Sequence, residues 1–159
     1  IKSSEITMDL LSKGSEKHWV FFNFAAMDSN LIPTIITNIN YSIVEFDYKF
    51  CRYRSTEKHA AAENKPCDCH NEMSGKIVSA FFHGASSLWW MSENQKKFYE
   101  DRFPFLNRQT STVLSSVFDD DFFIKIAQLR QGENFNTSSK MLIVGSDSWI
   151  KGVENSKGY

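Results

Sequence analysis

The stretch Tyr41–Tyr53 alternates with a period of two, and no other feature constrains the fold as tightly. Its even positions are Ser42, Val44, Phe46, Tyr48, Phe50 and Arg52, and its odd positions are Tyr41, Ile43, Glu45, Asp47, Lys49, Cys51 and Tyr53. One set is mostly apolar and the other mostly polar, as in a strand with one face buried and the other in water. Other runs rich in β-branched and aromatic residues are Trp19–Phe24, Ile32–Ile39, Lys76–His83, Ser86–Met91, Thr110–Phe118, Phe122–Arg130 and Lys140–Gly145; each reads as a strand. Pro33 places Ile32–Ile39 at an edge. Asp28-Ser29-Asn30 and Gly145-Ser146-Asp147 read as turns between strands. Helix is expected only in short pieces, around Ala60–Ala62 inside the polar loop Arg54–Ser74 and over Glu93–Asp101, which reads as a helix or a turn. Strands that follow one another without long amphipathic helices predict an all-β fold, an antiparallel β-sandwich with few short helices. At 159 residues, a single domain over 1–159 is expected.

The 14 Phe and 4 Trp residues exclude a disordered chain. The apolar runs are strand-sized, so no membrane span is expected. A net charge of −1, with no basic stripe, excludes the usual nucleic-acid binder. No nucleophile elbow, phosphate-binding glycine loop or His-Glu-x-x-His motif is present, so no catalytic residue and no cofactor are assigned. His83 with Ser86 or Ser87 is the weakest of the readings, a hydrolase. Asp119-Asp120-Asp121 lacks the ligand spacing of a calcium loop and reads as a solvated turn. The chain begins at Ile1 without a secretory leader, which is read as a processed product or an excised domain.

Three cysteines, Cys51, Cys67 and Cys69, bracket the long polar loop. A disulfide from Cys51 to Cys67 or Cys69 would contribute roughly 3 kcal/mol in the chain-entropy model and leave one thiol over. A metal site would use Cys67, Cys69 and His70 with His59 or Cys51, but Cys-x-Cys is off the common zinc spacing. The sequence reading therefore favours a structural loop and assigns no metal. The sequons Asn40-Tyr41-Ser42 and Asn136-Thr137-Ser138, with the cysteines, point to a secreted, extracellular glycoprotein.

Four stretches carry a resemblance: Lys17–Phe24 (KHWVFFNF), Tyr41–Tyr48 (YSIVEFDY), Phe81–Trp90 (FFHGASSLWW) and Leu142–Ile150 (LIVGSDSWI). Together they resemble the chemokine-binding SECRET domain of poxvirus secreted TNF-receptor homologues, related to the viral CC chemokine inhibitor. The resemblance implies a β-sandwich, a non-enzymatic decoy that sequesters host chemokines, and TNF-binding cysteine-rich domains upstream. Chemokines are small basic proteins, so the expected partner-binding face is acidic and partly aromatic. Glu45 and Asp47, flanked by Tyr41 and Ile43 on the polar side of the alternating strand, are the candidate site, and Asp119, Asp120 and Asp121 add charge at a strand junction. The alternative is a β-sandwich that binds carbohydrate or an immune ligand through an exposed Trp89 or Trp90.

Overall fold

The residues 32, 35, 36 and 39 are all isoleucine, and a spacing of i, i+3, i+4, i+7 lines one face of a helix as readily as β-branching suits a strand. In the computed structural model of the protein, which describes residues 1–114 and 119–131, the helical period prevails. The chain forms two compact units, Ile1–Ser115 and Ser116–Tyr159. In the first, the strands are β1 (His18–Phe21), β2 (Asn40–Glu45), β3 (Ser87–Trp90) and β4 (Ser111–Val113). They lie in the order β1-β2-β3-β4, and every neighbouring pair is parallel. The helices are α1 (Met8–Lys13), α2 (Ile32–Asn38), α3 (Thr56–Glu63), α4 (Met73–Gly84) and α5 (Glu93–Arg102). The described part of the second unit is α6 (Asp120–Gln131).

The fold is therefore mixed α/β, and the expected all-β antiparallel sandwich is overturned. Parallel strands cannot be joined by tight hairpins and need crossovers, usually helical. Here α2 joins β1 to β2, α3 and α4 join β2 to β3, and α5 joins β3 to β4. Three of the strand readings are helices: Ile32–Ile39 is α2, Lys76–His83 lies inside α4, and Phe122–Arg130 lies inside α6. In α4 the buried side chains are Gly75, Val78, Phe81 and Phe82, three and four residues apart, which is the helical stripe. Strands are found where expected at β1, β3 and β4, although each is shorter than its apolar run. The alternation of Tyr41–Tyr53 is a strand only as far as Glu45. The strand expected over Lys140–Gly145 lies outside the described residues.

Helices α2, α4 and α5 pack on the sheet face that carries Tyr41, Ile43, Leu88 and Trp90. Phe81 of α4 stacks on Tyr41 at 4.8 Å, and Tyr99 of α5 lies 4.9 Å from Trp90. Ile35, Tyr41, Ile43, Phe81, Phe82 and Tyr99 are all fully buried there. The end of α4 is capped from two sides. The Tyr41 hydroxyl donates to the Phe81 carbonyl at 2.7 Å, and the Gln109 amide donates to the carbonyls of Phe82 and His83 at 3.1 and 2.9 Å. These carbonyls lie in the last turn, where the helix ladder supplies few partners of its own.

Replacing Tyr41 with Phe removes one cap and leaves a buried carbonyl unpaired. Urea unfolding of Tyr41→Phe should show a loss of about 1–2 kcal/mol with an unchanged denaturant slope. An unchanged midpoint would mean that water replaces the hydroxyl.

Candidate metal centre

The connection from β2 to β3 contains a segment with little apolar side chain to bury, residues 51–72. It is nevertheless folded, and its cysteines lie at the middle of it. Cys51 sits on a tight turn: its N–H donates to the Tyr48 carbonyl at 2.9 Å, and its carbonyl accepts from Arg54 N–H at 2.8 Å. Arg54 takes a left-handed backbone with φ of 56°. Ser55 then caps α3, its side chain accepting from Lys58 N–H at 3.1 Å, as short hydroxyl residues do at helix starts. One turn further on, α3 presents His59, which is fully buried. Asn64, left-handed at φ 53°, ends the helix and turns the chain back. The return path delivers Cys67 and then Cys69, which opens a single 3-10 turn, Cys69–Asn71.

The result is a cluster of Cys51, His59, Cys67 and Cys69, whose sulfurs and one imidazole nitrogen all lie within 4.8 Å of one another. His59 Nδ1 is 3.3 Å from Cys69 Sγ and 3.8 Å from Cys51 Sγ. Around a tetrahedral zinc ion, with Zn–S of about 2.3 Å and Zn–N of about 2.0 Å, neighbouring ligand atoms stand about 3.5–3.8 Å apart. Cys51, His59 and Cys69 are buried, and Cys67 is partly so. The thiols are unbridged, and the three sulfurs lie together in one site with the His59 nitrogen. Burial, with the neighbouring Cys51 and Cys69 sulfurs, pushes the Cys67 thiol up to about 12.

Two contacts brace the cluster. The Arg52 guanidinium donates to both oxygens of Glu72 at 2.6 and 2.7 Å. The Tyr53 hydroxyl donates to Glu63 at 2.7 Å. Glycine is required at the start of α4: a Cβ on Gly75 would stand 2.1 Å from the Cys69 carbonyl. His59 Nε2 is buried without a protein partner. It is the nitrogen that would carry the proton if Nδ1 bound a metal.

The sequence reading weighed a metal site of Cys67, Cys69 and His70 with His59 or Cys51 and assigned no metal; the structure brings Cys51, His59, Cys67 and Cys69 together. It leaves His70 out; that ring packs beside Phe50 and Phe103. The weak Cys-x-Cys spacing concealed the site. The usable signal was the concentration of Cys51, His59, Cys67 and Cys69 just before and within a long polar loop.

The expected acidic face is not presented to solvent. Tyr41, Ile43 and Glu45 are buried on the helix side of β2, because a central strand of a parallel sheet is covered on both faces. Glu45 Oε1 accepts from Lys49 Nζ at 3.0 Å and from Asp47 N–H at 2.9 Å. Asp47 accepts from Lys49 at 3.2 Å and pairs with Arg54. The carboxylates pair with these cations within the chain. Asp119, Asp120 and Asp121 are exposed, but at the start of a helix and not at a strand junction. Asp119 accepts from Phe122 N–H at 2.8 Å as the cap of α6, and acidic side chains favour that end of the helix dipole. Trp90 is buried and Trp89 half-buried. His83 is exposed and faces Phe105, while Ser86 and Ser87 bond to Asn40 and Ser42. Asn40 is exposed, and Asn136 lies outside the described residues. Among the described residues, no helix is long and apolar enough to cross a membrane.

No family model, curated protein or solved structure matches this chain.

Burial raises the Glu45 carboxyl from its ordinary 4.5 to about 7, against the opposing pull of Lys49. The folded state thus holds a proton that the unfolded chain releases. The resulting stability is complete below pH 4.5 and is lost as pH rises through 7. Glu45→Gln removes this dependence, so the wild-type minus variant stability should fall by on the order of 2 kcal/mol between pH 5 and 8. A flat difference would show that Lys49 keeps the carboxylate ionised throughout.

Proposed function

We propose that this chain is a metal-binding α/β domain in which Cys51, His59, Cys67 and Cys69 hold one zinc-type ion as a structural centre. The observation that carries this reading is the convergence of three sulfurs and an imidazole nitrogen within 4.8 Å, in a largely buried setting. Thiolate and imidazole ligands favour zinc over magnesium or calcium, which take oxygen. Four protein ligands close a tetrahedron and leave no coordination position for water or substrate, which distinguishes a structural zinc site from a catalytic one. The metal's role is then mechanical. Binding releases the thiol protons, neutralises the crowded sulfurs, and couples the folding of residues 51–72 to the ion.

The chemokine-sequestering reading came from the family resemblance, and with it a sandwich and an outward acidic strand were expected. The sheet is parallel, and Tyr41, Ile43 and Glu45 are buried, so no observation on this chain favours it over the metal centre.

Purified protein should carry one equivalent of zinc by elemental analysis. Stripping it with a chelator should destabilise the first unit by at least about 3 kcal/mol, reversibly on adding zinc. Cobalt(II) in place of zinc should give thiolate charge-transfer absorption that Cys69→Ser and Cys51→Ser weaken and that His70→Ala leaves intact. Protein that folds equally well without metal, and takes up no cobalt, would overturn the proposal.

A further inference from the structure

A cleft of about 310 Å³ opens between the loop after β1, the loop after β2 and the first turns of α4. It lies beyond the carboxyl ends of β1 and β2. Its size lies at the small end of the range for small-molecule pockets. Phe24, Met27, Ile32, Ile77 and Val78 give it an apolar floor. The opposite wall is cationic: Lys49, Arg52 and Arg54 line it, and among the described residues no carboxylate does.

The three cations have carboxylate partners, but those partners stand outside the lining. Glu45 and Asp47 hold Lys49, Asp47 holds Arg54, and Glu72 holds Arg52. The hydrogen bonds to Glu72 use Nη2 of Arg52, and those to Asp47 use Nε and Nη2 of Arg54. Each guanidinium has a further nitrogen, Nη1, that these pairs leave unused, and each side chain is about half exposed, at 49% and 45%. Lys49 Nζ also lies 5.2 Å from the centre of the Phe24 ring, at the meeting of the cationic wall and the apolar floor. A guanidinium pair held from behind is ordered before a ligand arrives, which lowers the entropy lost on binding.

We infer that this cleft binds a small anion with an apolar or aromatic body, a carboxylate or a phosphate monoester, whose charged group meets Arg52 and Arg54 and whose body rests on Phe24, Ile32 and Ile77. The inference does not depend on the metal reading. Cys51 belongs to both places and Arg52 also interacts with Cys69, but neither the proposed anion contacts nor the apolar floor uses the ion as a ligand.

The test is calorimetric titration of the protein as purified, with its metal content recorded, using phenyl phosphate, benzoate, inorganic phosphate and phenol. Phenyl phosphate or benzoate should bind more tightly than either fragment, by about tenfold or more, because charge and body act together. Whichever of the two binds better tells phosphate recognition from carboxylate recognition. Arg52→Gln and Arg54→Asn, the latter chosen because Asn tolerates the left-handed backbone, should each weaken that binding about tenfold while the circular dichroism stays unchanged. Ile77→Trp, which fills the floor, should abolish it. Binding of phenol equal to that of phenyl phosphate, binding indifferent to both arginine variants, or no binding of either anion at millimolar concentration would each overturn the inference. A protein found to lack zinc but to bind phenyl phosphate as described would separate the two proposals.

Discussion

Four side-chain atoms converge at the margin of the hydrophobic core, where Cys51 and Cys69 join it and Cys67 packs against it. The connection from β2 to β3 must cross from one parallel strand to the next, and its second half does so with α4, which buries Val78, Phe81 and Phe82 against the sheet. Its first half has no comparable stripe; the side chains that α3 buries are Thr56 and His59. A surface segment of that kind pays the entropy of ordering with little apolar burial in return. In the proposed function Cys51, His59, Cys67 and Cys69 add a ligand set to that burial, and the chain is shaped to bring them together, through the Ser55 cap, the left-handed Arg54 and Asn64, and the close approach at Gly75.

The same segment joins the metal centre to the sheet. Lys49, Cys51, Arg52 and Arg54 belong to one tight turn after β2. Its sulfur points to the cluster, while its cations line the cleft at the carboxyl ends of the strands. Glu45, Asp47 and Glu72 fix those cations in place. A staple that orders Cys51 therefore also orders one wall of the cleft. In this account the ion performs no chemistry and contributes by setting the geometry of side chains a few residues away.

Much of the local structure was legible in the sequence, and the failures share a cause. Trp19, Leu88 and Trp90 are in strands as their neighbours suggested, α5 fills Glu93–Asp101 as read, and a short helix does surround Ala60–Ala62. The errors fell where β-branched and aromatic residues were weighed by type and not by spacing. Ile32, Ile35, Ile36 and Ile39 fit one helix face, as do Val78, Phe81 and Phe82, and tertiary burial overrides strand propensity there. The alternation past Glu45 had a different origin. Asp47 and Lys49 alternate because they form an ion network, not because they face water. Once α2 and α4 were read as strands, a parallel sheet could not be inferred, and Glu45 was assigned to solvent when it belongs to the interior. The metal ligands were all noticed, but cysteine spacing alone could not choose between a bridge and a site, since the choice depends on how α3 brings His59 to the sulfurs.

The most direct test of the central claim is X-ray absorption at the zinc edge on the purified protein. The account predicts a first shell of three sulfurs at about 2.3 Å and one nitrogen at about 2.0 Å, with no oxygen ligand. A shell dominated by oxygen or nitrogen, or a protein that retains its fold with no metal in it, would contradict it.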